Sequence, residues 1–280
     1  MFLQLPTRTL DLGRPRIMGV LNVTPDSFSD GGRYVQPDAA VQHARLMVEE
    51  GATIIDVGGE STRPGAEPVP EAEELDRVVP VIERLRRELD CVISVDTMKP
   101  AVMDAACAAG AELVNDVLAL QAPGALEVVA RRRAAVCLMH MQGEPRSMQR
   151  DPRYGDVVAE VRDFLARRLQ ACAGAGIAAA SLLVDPGIGF GKTDAHNLRL
   201  MAELDTLLGL GRPVLVGVSR KSMLGRLLGL PAERRLHPGL AVAAVAAWLG
   251  ASVVRTHDVA ATAEAVSMSW TLRQARTIQR

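Results

Sequence analysis

Polar side chains recur where apolar stretches of the chain end, and their types could do chemistry together. Nine such residues can be read from the sequence: Asn22, Asp56, Asp96, Asn115, His140, Asp185, Lys221, Arg255 and His257. A carboxylate at the end of an apolar strand is costly to bury unless it is paired. A ligand with an N–C–N donor edge would pair with Asp96 or Asp185 through two hydrogen bonds. Together with the amide of Asn115 and the ammonium of Lys221, these carboxylates predict a slot for a flat, hydrogen-bonding heterocycle.

Two of these carboxylates also have simpler explanations. Asp96 could cap a helix that opens at Pro100, and Asp185 could begin a turn at Pro186–Gly187. Polar residues at nearly every strand end are harder to explain in this way. A shared binding site is therefore the favoured interpretation.

A second group of residues suits an anion. Arg255 and His257 are two positions apart, so on one strand they would share a face. An arginine fork matches phosphate oxygens, and the loop residues Thr62 and Arg63 could reach the same anion, although Arg63 could instead be a solvated loop charge. Asn22 adds a neutral amide oxygen, which together with phosphate oxygens and waters suits Mg²⁺.

Alternating strands and helices must position these residues. Apolar strands are predicted near 17–22, 53–58, 92–96, 113–116, 134–140, 182–185, 213–217 and 252–255. Strands that are apolar throughout are typical of a parallel sheet covered on both faces. Eight such units without a linker predict a single (β/α)8 barrel domain over residues 1–280, preceded by a short β-hairpin that turns at Pro6–Arg8. An open doubly wound sheet is the alternative.

The predicted barrel explains why the polar residues recur, since the active site of such a barrel lies at the carboxyl ends of its strands. The longer predicted helices run from 37 to 50, 70 to 89, 156 to 173 and 239 to 249, with a shorter one over 219–228.

Composition excludes several classes of function. The net charge of −1 gives no overall attraction to nucleic acid or to an anionic membrane. No apolar run is long enough to span a bilayer, and the first residues lack the features of a signal peptide, so we expect a cytoplasmic protein. The four cysteines, Cys91, Cys107, Cys137 and Cys172, have neither zinc nor redox spacing and are predicted to pack in the core or on a helix face.

Residues Gly187–Thr193 resemble a nucleotide-binding P-loop, but only three residues separate Gly187 from Gly191 where that motif has four. We therefore reject a nucleoside triphosphatase. Of the 32 basic residues only Lys99, Lys192 and Lys221 are lysines. A lysine kept in a loop after a strand, against such a strong preference for arginine, hints at a need for a compact ammonium group.

Eight segments, in this order, resemble the dihydropteroate synthase family: MGVLNVTPDSFSDGG (18–32), GGESTRPGA (58–66), SVDT (94–97), NDV (115–117), LMHMQGEPRSMQ (138–149), DPGIGFGKT (185–193), GVSRKSMLG (217–225) and VRTHDV (254–259). The resemblance implies a dimeric, Mg²⁺-dependent barrel of the folate pathway. Such enzymes join 6-hydroxymethyl-7,8-dihydropterin diphosphate to 4-aminobenzoate, release pyrophosphate, and are targets of sulfonamides.

The resemblance also implies roles for individual residues. It assigns the dihydropterin to Asp96, Asn115, Asp185 and Lys221, with Met139, Gly189 and Gly217 lining its face. It assigns the diphosphate and its Mg²⁺ to Asn22, Thr62, Arg63, Arg255 and His257. It assigns the aminobenzoate pocket to Phe28, Arg63, Pro64, Phe190 and Ser222, and the main catalytic roles to Arg63, Lys221, Asp96 and Asp185.

The implied chemistry begins when the diphosphate departs and leaves a cation on the exocyclic methylene. Asp96 or Asp185 would stabilise this cation before the neutral aromatic amine attacks, although the sequence leaves an in-line displacement open. The chain departs from the family pattern at His237–Leu240, Thr256 and Glu144, and the first departure could alter the subunit interface. A methyltetrahydrofolate-using methyltransferase and a non-catalytic pterin-binding paralogue are the alternatives. The 18–32 loop and the Arg-x-His pair argue against the first, and retention of Arg63, Lys221 and that pair argues against the second.

Overall fold

The computed structural model describes residues 1–24, 32–61, 67–144 and 146–277. Two short strands, β1 (Phe2–Gln4) and β2 (Thr9–Asp11), form the N-terminal hairpin. The eight barrel strands are β3 (Arg16–Asn22), β4 (Ala52–Gly58), β5 (Val92–Asp96), β6 (Leu113–Asp116), β7 (Ala135–Met139), β8 (Leu182–Asp185), β9 (Leu215–Gly217) and β10 (Val253–Thr256). The predicted eight-stranded (β/α)8 architecture and its hairpin are confirmed.

All neighbouring barrel strands are parallel, in the order β8-β7-β6-β5-β4-β3-β10-β9. A bridge between Val184 and Val214 joins the two ends of this sheet and brings it close to a closed barrel. The register places Asn22 beside Gly58, Gly58 beside Asp96, and Asp96 beside Asn115. Polar strand ends that are far apart in sequence therefore meet at one level of the barrel mouth.

Nine α-helices lie in the described ranges and cover the sheet. They are α1 (Gly32–Glu49), α2 (Glu71–Glu88), α3 (Pro100–Ala109), α4 (Ala125–Arg132), α5 (Val157–Gly174), α6 (Asp194–Ala202), α7 (Ser222–Leu228), α8 (Leu236–Leu249) and α9 (Val259–Thr277). None of them, in the part of the chain described, has the length and apolar character needed to cross a bilayer.

Two helices begin earlier than predicted, and each contains a proline near its start. Pro238 lies in the first turn of α8, where its missing N–H costs no hydrogen bond. Pro37 lies further inside α1, which begins at Gly32, so the predicted start of this helix at residue 37 was wrong.

The hairpin closes the end of the barrel opposite the mouth. Leu3, Leu5 and Leu12 are buried against the first inward-facing residues of the barrel strands, including Met18 and Ile54. This apolar packing fills the barrel interior from below, as a second cluster separate from the core between sheet and helices.

An arginine at the hairpin turn ties it to the barrel. Arg8 donates from Nε to Glu112 Oε1 at 3.0 Å and from a guanidinium nitrogen to Glu112 Oε2 at 2.6 Å, and Glu112 is buried. The four cysteines are free and at least half-buried, which confirms their predicted packing role.

Candidate active site at the barrel mouth

A buried ion-pair network forms the floor of the mouth. Arg255 on β10 donates from Nε to Asp56 Oδ2 at 2.6 Å and from Nη2 to Asp96 Oδ2 at 2.7 Å. Asn115 donates from Nδ2 to the same Asp56 oxygen at 3.0 Å. The four side chains come from four strands, β4, β5, β6 and β10, because inward-facing positions of a closed barrel converge on its axis.

Charge and burial oppose each other in this network. Burial raises the pKa of Asp96 to about 7, the Arg255 guanidinium lowers that pKa, and the negative charge of Asp56 raises it further. Burial by itself would lower the pKa of Arg255, but the carboxylates of Asp56 and Asp96 outweigh burial and hold that pKa above its ordinary value. One cation therefore faces two carboxylates. The network keeps two buried acceptor atoms, Asp56 Oδ1 and Asp96 Oδ1, without a hydrogen-bond partner among the described residues.

The two simpler explanations for the carboxylates are resolved differently. Lys99, not Asp96, occupies the N-cap position of α3, so the capping explanation for Asp96 was wrong. Asp185 does begin a turn, since its Oδ1 accepts a hydrogen bond from the Gly187 N–H at 2.7 Å. It also lies in the mouth, where burial raises its pKa while the Gly187 N–H and the lysines 221 and 192 lower it.

The loop that follows β8 approaches the end of β7 closely. Gly187 has a left-handed φ of +66°, and a Cβ atom there would lie 1.9 Å from the carbonyl oxygen of His140. No other residue fits this position, so the glycine is required by both conformation and space. This close approach brings Gly189 and Phe190 to the mouth.

Lys221 lies over this loop. Its Nζ donates to the carbonyl of Ile188, and the same nitrogen lies 4.5 Å from the centre of the Phe190 ring. Burial lowers the pKa of Lys221 to about 8, although the Asp185 carboxylate raises it. The four side chains predicted to hold a heterocycle, Asp96, Asn115, Asp185 and Lys221, are thus brought together at one end of the barrel.

Arg255 lies within β10, and His257 lies one residue beyond its end. Its Nδ1 is 3.1 Å from Ser219 Oγ, which also accepts the His257 backbone N–H at 3.2 Å. Asp258 pairs with Arg220 and lies 3.4 Å from Ser219 Oγ. Arg255 is turned into the barrel and His257 towards the loop after β9, and their role as diphosphate ligands stays a prediction.

Asn22 ends β3 and is half-buried. A methyl group added to Gly58 would lie 3.8 Å from Asn22 Oδ1 and 3.9 Å from Asp96 Oδ2, so both side chains border the same point. Within the described ranges, no three His, Cys, Asp or Glu side chains could hold a metal ion by themselves. A single amide oxygen, beside a substrate that supplies phosphate oxygens, suits Mg²⁺, because this ion keeps several bound waters and takes further ligands from its substrate.

The remaining predicted residues divide into two groups. Met139 is buried at the end of β7, Gly217 ends β9 beside Arg255, and Ser222 begins α7, where its Oγ accepts from Arg226 at 2.9 Å. Phe28, Thr62, Arg63 and Pro64 lie outside the described residues.

Two features of the site were not predicted from the sequence. Asp56 was noted as a strand end but received no role, and the structure shows it as the partner of Arg255. Lys192, inside the rejected P-loop resemblance, is 1% exposed and contacts His140. The signal available in the sequence was that Lys192 is one of only three lysines among 32 basic residues.

The barrel and its mouth define a pterin-binding enzyme, and the family described as "Pterin binding enzyme" matches residues 18–257. The dihydropteroate synthase of Escherichia coli strain K12 is 52% identical over 258 residues, covering 92% of each chain. The chain belongs to the dihydropteroate synthase family, and it is an enzyme of folate biosynthesis.

Solved structures of this family superpose closely. The Yersinia pestis dihydropteroate synthase in complex with a sulfonamide drug has a TM-score of 0.93 at 51% identity, covering 98% of this chain and 100% of that one. The Xanthomonas albilineans dihydropteroate synthase with 4-aminobenzoic acid has a TM-score of 0.91 at 52% identity, with 98% of each chain covered.

Proposed function

We propose that the mouth of this barrel joins 6-hydroxymethyl-7,8-dihydropterin diphosphate to 4-aminobenzoate, forming 7,8-dihydropteroate and pyrophosphate. The observation that carries the proposal is the convergence of three buried side chains, Asp96, Asn115 and Asp185, and the half-buried Lys221 at one end of the barrel in a chain of this family. These residues lie on separate strands and loops, and the fold alone would not require polar side chains at all four places.

The free acceptor atoms of the mouth support pterin binding. Among the described residues, Asp56 Oδ1 and Asp96 Oδ1 are buried without hydrogen-bond partners, and a buried polar atom without a hydrogen bond costs about 1–3 kcal/mol. The amino and ring N–H groups of a dihydropterin would satisfy such acceptors. Asp185 would accept from the same donor-rich edge, and Lys221 would donate to a ring oxygen or nitrogen.

The chemical step would be supported by charge. When the methylene carbon–oxygen bond breaks, its electron pair leaves with the diphosphate and positive charge spreads into the pterin ring. Asp96 suits the stabilisation of this charge because it is a buried carboxylate whose Oδ1 has no hydrogen-bond partner among the described residues. The lone pair of the neutral aromatic amine then forms the carbon–nitrogen bond, and the surplus proton passes to solvent.

The anion and its metal ion would lie at the rim. Asn22 would hold Mg²⁺ with the diphosphate oxygens, and bound Mg²⁺ would neutralise the leaving group. His257, held through Ser219, and Arg63 and Thr62 from the loop after β4 would contact the same oxygens. Arg255 would contribute its positive charge from the floor of the mouth.

The second substrate would enter beside Phe190. This ring lies under the Lys221 ammonium group and is half-buried. Ser222, exposed at the start of α7, would meet the carboxylate of 4-aminobenzoate, while Phe28 and Pro64 would complete the pocket. Sulfonamides would compete here because they share the aniline ring of 4-aminobenzoate.

A homodimer in the cytoplasm completes the proposal. Helices α8 and α9 pack together and present apolar side chains to solvent, with Val245 50%, Met268 58% and Leu272 52% exposed. Trp248 lines the same groove. An apolar surface of this kind marks a protein–protein contact, and sedimentation of the Val245→Asp variant as a monomer would support it.

Four free cysteines fit a reducing compartment.

Pyrophosphate release from dihydropterin diphosphate in the presence of Mg²⁺ tests the activity. We expect release that requires 4-aminobenzoate and that decreases when a sulfonamide is added. Tight binding of the pterin diphosphate without release would instead identify a non-catalytic pterin-binding protein. Release that is independent of 4-aminobenzoate would contradict the assigned second substrate.

A further inference from the structure

Lys192 lies behind the loop that carries Gly189 and Phe190. Its side chain is 1% exposed, and among the described residues it forms no ion pair. Lysine is almost never fully buried unless a carboxylate accompanies it. The chain nevertheless retains this ammonium group at a position where arginine, its usual basic residue, would need far more space. Its hydrogen bonds show what it holds.

The Lys192 Nζ donates to carbonyl oxygens on two sides. It lies 3.0 Å from the oxygen of Gly187 and 2.9 Å from that of Phe190, which are the two ends of one turn. It lies 3.3 Å from the carbonyl oxygen of His140 and 2.9 Å from the Nδ1 of the same residue. One amine therefore ties the 187–190 turn to the end of β7.

His140 is suited to receive this hydrogen bond. Burial, reinforced by the charge of Lys192, lowers the pKa of the His140 ring to about 3. The imidazole is therefore neutral, and its Nδ1 can accept. Phe164 packs edge-on against this ring with the ring centres 4.9 Å apart, so the acceptor is fixed from the side of α5 as well.

The opposite side of the 187–190 turn faces the mouth. There the carbonyl of Ile188 accepts from Lys221, and the Phe190 ring lies beneath the same ammonium group. A Cβ atom at Gly189 would lie 3.1 Å from Lys221 Cδ, so the turn and the lysine are in close contact. Any shift of the turn would move Lys221 and Phe190 together.

Given the proposed function, we propose that Lys192 is a positioning residue of the reaction. Together with His140 it fixes the 187–190 turn, so that Lys221 meets the pterin and Phe190 meets the aminobenzoate. Lys192 does not touch substrate. It acts through the turn, and its positive charge also favours the ionised form of Asp185.

The charged groups around Asp185 predict how pterin binding depends on pH. Lys221, Lys192 and Arg255 each favour the ionised carboxylate, and the buried thiol of Cys137 is its neighbour on β7. Pterin binding needs the ionised Asp185, so affinity is lost as the pH falls through its pKa. Removing the charge of Lys192 raises that pKa, and the loss then begins at a higher pH.

The test measures 6-hydroxymethylpterin binding by calorimetry, across pH, in the full-length protein and in the variants Lys192→Met and Lys192→Gln. We expect both to bind about 10–100-fold more weakly, as for loss of hydrogen bonds from a charged group. We also expect both to lose affinity at a higher pH than the unmodified chain, and to raise KM for the pterin diphosphate more than they lower kcat. Leu3→Ala is the matched control, because it destabilises the opposite end of the barrel.

Each outcome is informative. If folded Lys192 variants bind the pterin with unchanged affinity and an unchanged pH limit, Lys192 is only structural and the proposal is wrong. If the unmodified protein binds no pterin, the proposed function fails first. Should neither variant fold, lysine-labelled NMR of the unmodified chain replaces them, since only three lysines contribute signals. Pterin binding should then shift the Lys192 signal, and an unmoved signal overturns the proposal.

Discussion

The substitution Asp56→Asn tests the floor of the mouth most directly. Asp56 is wholly buried, and its Oδ2 accepts from both Arg255 Nε and Asn115 Nδ2. Asparagine has the same shape but no charge. It therefore removes one partner of a buried ion pair and leaves the packing of the barrel almost unchanged.

The magnitude follows from what Arg255 retains. Breaking a buried ion pair by removing one partner costs about 3–5 kcal/mol. Arg255 keeps the Asp96 carboxylate at 2.7 Å, so we expect the lower end, about 3 kcal/mol. For a chain of this size, each kcal/mol lowers the melting temperature by about 2–4 °C, which gives roughly 6–12 °C.

The same substitution should make catalysis more tolerant of acid, although it makes the fold less stable. The charge of Asp56 helps to raise the pKa of Asp96, which burial brings to about 7. Without that charge the Asp96 pKa falls, so Asp96 stays ionised at lower pH. We therefore expect the acid limb of kcat/KM for the pterin diphosphate to move to lower pH, even though the protein is less stable.

Thermal unfolding and pH-dependent pyrophosphate release together measure both effects. Asp163→Asn is the control, since Asp163 lies on α5 with a side chain that is 56% exposed, and its loss should change neither quantity. An Asp56→Asn protein with an unchanged melting temperature, or with an acid limb that stays in place, would refute the charge coupling described for the mouth.

Four further substitutions separate the parts of the molecule. Lys221→Met should weaken 6-hydroxymethylpterin binding by about 1–3 kcal/mol, because it leaves buried partners unpaired, and calorimetry measures this loss. Leu3→Ala should cost about 2–5 kcal/mol of unfolding free energy in denaturant titrations. The 63%-exposed Phe2, changed to alanine, should cost less than about 0.5 kcal/mol, and both variants should keep their KM values. Arg63→Ala should lower kcat more than pterin affinity, and the reverse pattern in steady-state kinetics would remove Arg63 from the reacting centre.

Much of the fold could be predicted from the sequence because apolar strands and polar strand ends are local patterns. All eight barrel strands, the hairpin turn and the convergence of Asp96, Asn115, Asp185 and Lys221 followed from them. The partner of Arg255 did not, because the stagger between strands decides which carboxylate it meets, and Asp56 lies 199 positions away in the chain.

Lys192 was missed for a different physical reason. Its sequence context resembles a phosphate-binding loop, in which the lysine would face a ligand, and nothing local indicates that the side chain turns inward. Only the close approach of Gly187 to the His140 carbonyl creates the group of acceptors that buries it.

The bridge between Val184 and Val214 makes the boundary of β8 and β9 the place where the sheet can open with the loss of the fewest hydrogen bonds, within the described strands. Asp185 ends one of these strands and Lys221 follows the other. A dihydropterin held by both would connect the strands across this boundary and complete the sheet, so its binding free energy would add to the cost of local opening. Amide hydrogen exchange in β8 and β9 should therefore slow on pterin binding more than exchange in β4 and β5, which are already paired along β5.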